Sequence, residues 1–385
     1  MAVAATPAPA RRLPPWAQAV LGQALALGLA LALAALVGGV IIGLYHESPL
    51  AVYATIWRFS TERPSDIGRV LENATPLIYS ALAVAVAFKA GMFNIGVEGQ
   101  YLVGMVTAAA TAVTFDSLPA LVLLPLVVLA AMAGSMIWAA IPAVLKVKTG
   151  AHEVVTTIML NGVAISLLAW AILHPLRTSD TGLVDLRTDV FPEAAMFPTI
   201  AHTFGLEKQL PDSVYLTWLF PLALLACVLV WFLLFRSRLG YEVRAVGSSA
   251  GSAQAGGISI GATQIKIFLI SGALAGFVGL NQLLGDKGFL GSNYEAGLGF
   301  AGITVAFLGR NHPAGIAVAA VLIGMLKRGQ DALALETSIP IEILIILQGV
   351  LILSVVVAYE IVNRRIARRR QQEVRAEETA LEGGG

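Results

Sequence analysis

The sequence predicts an all-α polytopic membrane protein of about ten transmembrane helices, some short or broken, set out as two pseudo-repeated halves. Three observations carry this prediction. Only 13% of the 385 residues are charged, against roughly 25% in ordinary soluble domains. The uncharged residues come in blocks such as Ala24 to Tyr45, and roughly 20 apolar residues in a helix span a bilayer core. Two of the apolar stretches are also interrupted by glycines together with amides and carboxylates, at 91–100 and 281–302.

In chain order the spans fall near 17–45, 70–89, 96–115, 118–142, 153–174, 214–235, 263–284, 297–310, 313–327 and 340–361. The first follows Arg11 and Arg12, and its apolar run is too long for a signal-peptide core, so it reads as an uncleaved span. The second and eighth are irregular. Basic residues decide orientation. Arg11 and Arg12, Lys146 and Lys148, Arg236, Arg238 and Arg244, and the tail arginines Arg364, Arg365, Arg368, Arg369 and Arg370 all fall on one face. The loop 175–213, on the other face, carries Arg177, Arg187 and Lys208 against Asp180, Asp185, Asp189, Glu193, Glu207 and Asp212. Both termini are therefore expected in the cytoplasm. Residues 1–361 form one membrane domain in this scheme, with an external loop 175–213 and a cytoplasmic loop 236–262. The tail 362–385 is basic and then polar.

Near-neutral charge gives no sign of a nucleic-acid partner. Cys227, the lone cysteine, lies in an apolar run and reads as a packing residue. His152 and His312 have no partners at metal-ligand spacing, so no metal and no cofactor is expected. Glu342, after Ser338 and Pro340, is helix-start chemistry. The chain has no G-x-x-x-x-G-K-[ST], GxSxG, HExxH or CxxC pattern, so it is not expected to be an enzyme. Any ATP it depends on must be hydrolysed by another chain.

The polar stretches carry the rest. In Gly91-Met-Phe-Asn-Ile-Gly-Val-Glu-Gly-Gln100, Asn94 and Glu98 share a face if 94–104 is helical. Polar groups and broken backbone at membrane depth are tolerated where they face a partner or a cavity. One reading is therefore a translocation-path or gating element. The other is a helix-end cap at the cytoplasmic interface, with Glu98 favoured by the helix dipole. The second half offers Asn281, Gln282, Asn293 and Glu295 around a glycine-rich break, then Asn311-His312-Pro313. Two such interrupted spans are what internally repeated transporters place around a pathway. Close helix packing is the rival account of the glycines, and it fits Gly272-Ala-Leu-Ala-Gly276.

Four stretches together resemble the permeases of nucleoside and simple-sugar ABC importers. They are 91–100, His152-Glu-Val-Val-Thr-Thr-Ile-Met-Leu-Asn161, Gly240-Tyr-Glu-Val-Arg-Ala-Val-Gly247 with the residues to Ile258, and Gly299-Phe-Ala-Gly-Ile-Thr-Val-Ala-Phe-Leu-Gly309 through Gly315. They occur in the family's order. Gly247-Ser-Ser-Ala-Gly-Ser-Ala-Gln-Ala-Gly-Gly-Ile258 departs from the family's "GSNPxAARYAGI", and His152 stands where Asn is usual.

The resemblance implies a ten-span permease in a bacterial cytoplasmic membrane, paired with a second related permease. It implies an ATP-binding subunit docked inside and a substrate-binding lipoprotein outside. Nucleosides are the first expected solute, with ribose or another simple sugar next and branched-chain amino acids in more distant relatives. The rival class is an ion-coupled secondary transporter, for which Glu98 would have to supply a relay. Phe93, Asn94, Glu98, Gln100, Asn281 and Asn293 are expected to line or gate the substrate path, since amides both donate to and accept from a nucleoside. Arg244, Gly247, Ser248, Ser249 and Gln254 are expected to meet the ATPase, because a short loop rich in small residues docks closely.

Overall fold

The structure, a computed structural model, describes residues 15–179 and 186–336, together with Ile346, Gly349, Val350, Leu353, Ser354, Val357, Ala358, Ile361 and Arg364. Asp180, Asp185, Glu342, Arg11, Arg12, most of the expected tenth span and all of the tail beyond Arg364 lie outside the described residues. The chain divides into two compact units, Tyr53–Ser338 and a smaller one made of Met1–Val52 and Ile339–Gly385. The smaller unit holds α1 (Pro15–Leu44), an apolar helix of 30 residues that continues through the whole of the uncharged block. It also holds the first turn of α2 (Pro49–Thr61). Sequence patterning did not anticipate α2, because 13 residues are too few to score as a span.

The larger unit is built from α3 (Pro64–Lys89), α4 (Val97–Thr114), α5 (Ala120–Thr149), α6 (Glu153–Leu173), α7 (Ile200–Phe204), α8 (Leu219–Arg236), α9 (Arg238–Ser248), α10 (Ala250–Ala255), α11 (Ile260–Ala275), α12 (Leu298–Leu308) and α13 (Pro313–Glu336). Local chemistry sets many of the ends. Pro64 sits in the first turn of α3, where its missing N–H costs nothing. Gly150 closes α5 in the left-handed region at φ 75°. His152 caps α6 by accepting the Val154 N–H at 3.3 Å, so its imidazole does the work an Asn side chain would do there. Ser237 and Ser249 cap α9 and α10 in the same way.

Four of the described helices, α3, α5, α6 and α8, are long and apolar enough to cross a membrane. They are not equivalent. In α3, 83% of the most apolar window is buried, against 28–33% in the other three, so α3 is the central post and the others form a wall. Leu121, Leu129, Ile137, Val163, Trp170, Val228 and Phe232 project outward from that wall, as side chains facing hydrocarbon do. The expected seventh span is broken instead. α11 stops at Ala275, and a π-helical turn follows at Gln282–Lys287. The chain between them carries Gly276 and Gly279, both poor helix formers. The expected cytoplasmic loop 236–262 is mostly helical.

α11 lies directly on the backbone of α5. A Cβ on Gly272 would stand 2.9 Å from the Ser135 carbonyl oxygen, and one on Gly276 2.8 Å from that of Ala131. The Gly-x-x-x-Gly spacing puts both on one face, so the helices approach to backbone contact. On the other side of the core, Arg328 of α13 donates to Asp66 of α3 at 2.7 Å, and both side chains are largely buried.

Gly276→Leu should force α11 off α5. The expected cost is about 1–3 kcal/mol of stability, the usual range for overpacking, read as a lower melting temperature of the purified protein in detergent. Ser166→Leu, on the exposed wall of α6, should leave melting unchanged.

Candidate functional site

The chain leaving α3 turns at Gly91 (φ 72°) and enters the bundle as the short link 90–96 before α4 begins. Asn94 is wholly buried in this link. Its amide is paired reciprocally with that of Gln100: Asn94 Nδ2 donates to Gln100 Oε1, and Gln100 Nε2 donates to Asn94 Oδ1, each at 3.0 Å. Asn94 Nδ2 also donates to Ser271 Oγ at 2.8 Å, and Asn94 Oδ1 accepts the Gly96 N–H at 3.0 Å. The Ser271 hydroxyl in turn donates to the Ala83 carbonyl at 2.6 Å. Every donor and acceptor of the Asn94 side chain is therefore used, and the link is tied to α3, α4 and α11 at once.

α6 holds the same link from its far side. Asn161 accepts the Gly99 N–H at 2.9 Å and donates to the Ile95 carbonyl at 3.0 Å. Glu153 accepts the Phe93 N–H at 3.4 Å and the Lys146 ammonium at 2.5 Å. Two of the family-like stretches, 91–100 and 152–161, thus form a single joint.

Glu98 connects this joint to a third. Its carboxylate is 3% exposed. One oxygen accepts the Gly297 N–H at 2.7 Å and lies 3.1 Å from the Tyr101 hydroxyl, and the other accepts the Gly299 N–H at 2.8 Å. Leu298 and Gly299 are buried, so α12 starts inside the protein with its first amides turned away from water. A carboxylate at a helix N-terminus satisfies those amides and complements the dipole. A Cβ on Gly299 would stand 2.6 Å from Glu98 Cα, so α12 crosses α4 at a distance only glycine permits.

The remaining sequence-selected residues are more dispersed. Phe93 is half-buried in an aromatic cluster, with ring centroids 6.3 Å from Phe88 and 6.1 Å from Phe307. Asn281 is buried at the head of the π-turn and its side chain makes no hydrogen bond among the described residues. Asn293 is exposed, and among the described residues only its backbone carbonyl is engaged, by Lys287 Nζ at 2.7 Å and Gln282 Nε2 at 3.5 Å. It therefore does not meet Asn94.

Residues 186–199 are stitched onto this second break. The Thr188 N–H donates to the Leu290 carbonyl at 2.9 Å, Phe191 N–H to Gly288 at 2.7 Å and Phe197 N–H to Leu284 at 2.9 Å. Asp189 accepts the Thr178 hydroxyl at 2.6 Å. That bond, followed by the Ser179 N–H, holds its carboxyl below the usual range. A cavity of about 290 Å³ opens beside this region, lined by His202, Glu207, Asp212, Tyr215 and Asp286 among others.

At the other end, α9 abuts the carboxyl end of α3. A Cβ on Gly247 would stand 3.0 Å from the Lys89 carbonyl carbon and 3.2 Å from Gly91 N. Arg244 stacks its guanidinium 5.6 Å from the Phe235 ring centre, which holds α9 against α8. Ser248, Ser249 and Gln254 are exposed on α9–α10. Close by, burial first and then the Lys89 and Arg310 charges push the His312 imidazole below its usual value.

Sequence reasoning missed Glu153, Asn161, Ser271 and Tyr101 as members of the joint; it marked Glu295 at the second break but not its partner Lys327. Glu153 and Asn161 bracket the 152–161 stretch and are buried polar residues in an apolar helix, which is a usable signal. Ser271 carries none, since a serine in a small-residue run looks like packing.

A polytopic helical membrane protein with two broken helices locked to each other is the architecture of a transport permease. The chain belongs to the family described as branched-chain amino acid transport system / permease component, which residues 67–356 match. It is the permease subunit of an ABC transport system, and the ion-coupled alternative falls with that membership. The chain is 34% identical over 339 residues, 88% of its length and 92% of the relative's, to the guanosine ABC transporter permease protein NupP of Bacillus subtilis. It is 33% identical over 270 residues, 70% of each chain, to the glucose ABC transporter permease protein TsgB13 of Haloferax volcanii. It is 31% identical over 275 residues, 70% of its length and 74% of the relative's, to the nucleoside ABC transporter permease protein NupB of Lactococcus lactis.

Glu98→Ala should leave the Gly297 and Gly299 amides without an acceptor and lower stability by about 1–3 kcal/mol for each. Glu98→Gln keeps one acceptor oxygen and should lose less. Melting temperatures of the two purified variants, ranked against the parent, check the order.

Proposed function

We propose that the chain imports nucleosides across a bacterial cytoplasmic membrane, driven by ATP hydrolysed in a partner subunit. The likeness to a guanosine permease over 88% of this chain and 92% of that one carries the reading. The buried Asn281 amide, whose side chain makes no hydrogen bond among the described residues, supports it. An amide donates to and accepts from both ribose hydroxyls and a base edge, whereas a fixed charge would suit an ionic solute. A sugar is the second reading, favoured by the likeness to a glucose permease over 70% of each chain.

The α9–α10 end faces the cytoplasm in this proposal, since Lys146, Lys148, Arg236, Arg238 and Arg244 gather there. Both termini lie on that side. The ATP-binding subunit meets Ser248, Ser249 and Gln254, and the Arg244 stack keeps α9 seated. Gly247 passes the motion to Lys89 and Gly91, from which the link carries it to Asn94, Gln100 and Glu98. Those three residues gate the path as a joint, Phe93 forms an apolar wall near its inner end, and Asn281 contacts the solute. A substrate-binding lipoprotein docks on the opposite end, over the acid-rich loop that includes Asp189, and Asn293 lies near its mouth. A second related permease completes the pathway.

Vesicles holding the permeases, the ATP-binding subunit and the binding protein should take up labelled guanosine only with ATP inside the compartment that holds the ATPase. Excess unlabelled nucleoside should compete, and glucose or ribose should not. Uptake of sugar that nucleosides leave untouched would assign the second reading instead.

Gly247→Leu tests the transmission route. A branched side chain there must push α9 off α3, so ATP hydrolysis should persist while solute uptake falls by about tenfold, an ordinary coupling energy. Coupled uptake at the parent rate in this variant would exclude the contact as a route.

A further inference from the structure

Lys327 and Arg328 stand side by side more than halfway along α13, after a first half that carries no charge. Charge at such a place is expensive unless it is paired, and each of the two has a carboxylate. Successive helical residues point about 100° apart, so they address different neighbours. Arg328 reaches Asp66 of α3 in a largely buried pair, with side chains 17% and 10% exposed. That pair fixes α13 to the central post. Lys327 reaches Glu295, with side chains 28% and 39% exposed. Glu295 belongs to no helix. It lies in the chain that leads from the π-turn into α12.

Glu295 is engaged at every polar group it has. Its side chain pairs with Lys327, its N–H donates to Gln282 Oε1 at 2.9 Å, and its carbonyl accepts the Tyr101 hydroxyl at 2.9 Å. The Tyr101 hydroxyl also lies 3.1 Å from Glu98, and Gly297, two residues after Glu295, donates to that carboxylate at 2.7 Å. Whatever holds Glu295 therefore holds the amides that Glu98 caps. A buried pair that loses a partner is strongly penalised, whereas a partly solvated pair exchanges its partner for water at little cost. Of the two α13 pairs, Lys327–Glu295 is the one that can open.

We propose that Lys327 and Glu295 are positioning residues for transport. Closed, their ion pair pins the entry to α12 so that its N-terminus stays on Glu98. Open, it frees that N-terminus to leave. This proposal rests on the permease cycle described above, but not on which solute is carried.

The test uses the assembled complex with Cys227→Ser and a Leu298→Cys reporter, since Leu298 is buried at the start of α12 while the pair is closed. In the parent, labelling at position 298 should be slow at rest and faster during turnover with ATP and loaded binding protein. Glu295→Gln and Lys327→Gln should each label fast without either, and coupled uptake should fall by about tenfold while ATP hydrolysis continues. The charge exchange, Glu295→Lys with Lys327→Glu, should restore slow resting labelling and most of the uptake. Melting temperatures within a few degrees of the parent, and parent-like behaviour of Lys327→Arg, separate positioning from general instability. Parent-like labelling and uptake in both single variants would overturn the proposal, as would an exchange variant that melts normally yet restores neither readout. A failure of the nucleoside reading would be seen instead as absent guanosine uptake by the parent, and the labelling at position 298 would still decide the role of the pair.

Discussion

The cap that Glu98 places on α12 is the interaction on which the rest of this architecture depends. A helix that begins inside a membrane protein exposes several backbone amides where no water can serve them, and each one left bare costs several kcal/mol. One carboxylate answers Gly297 and Gly299 together. That solution dictates its neighbours. α4 must begin beside α12, so the chain after α3 has to turn inward at Gly91 rather than run on. Residue 299 must be glycine for the two helices to touch. The link 90–96, which has no helical bonds of its own, must then be satisfied by side chains.

Asn94, Gln100, Asn161 and Ser271 supply that satisfaction, and they come from three separate parts of the chain. A buried network of this kind is rigid when complete and costly when one member is lost. It also joins the two halves of the sequence, since Glu98 belongs to the first polar segment and α12 to the second. The Gly272 and Gly276 contacts on α5 keep α11, and with it Ser271, in register. The central joint is thus held by backbone-to-backbone packing on one side and by hydrogen bonds on the other.

Much of this was legible in the sequence, and what was not has physical reasons. Apolar blocks gave α1 and α6 within two residues and α3, α5 and α8 with one end displaced by five to seven, because lipid demands long runs. The breaks at 91–100 and 285–302 stood out because polar residues are rare in such company. The partners of Glu98 and Asn94 were invisible, since Gly297 and Ser271 lie some 200 and 177 positions away and nothing local marks them. α2 escaped because it is too short to look like a span. The interruption after Ala275 was hidden by a hydropathy that hardly changes through it. Lys327 and Arg328 drew no notice in the sequence, and only the fold shows that each answers a different carboxylate.

The reciprocal amide pair of Asn94 and Gln100 has a consequence for chemical selectivity. A side chain whose donors and acceptors are all consumed by its neighbours has nothing left with which to tell one solute from another. In the proposed path Asn94 is therefore indifferent to cargo, and discrimination falls to groups with spare hydrogen bonds, such as the Asn281 amide, which makes none among the described residues. Such a division lets the moving parts stay fixed while the surface that meets the solute is revised. It accounts for how closely related chains can be named for cargoes as unlike as guanosine and glucose.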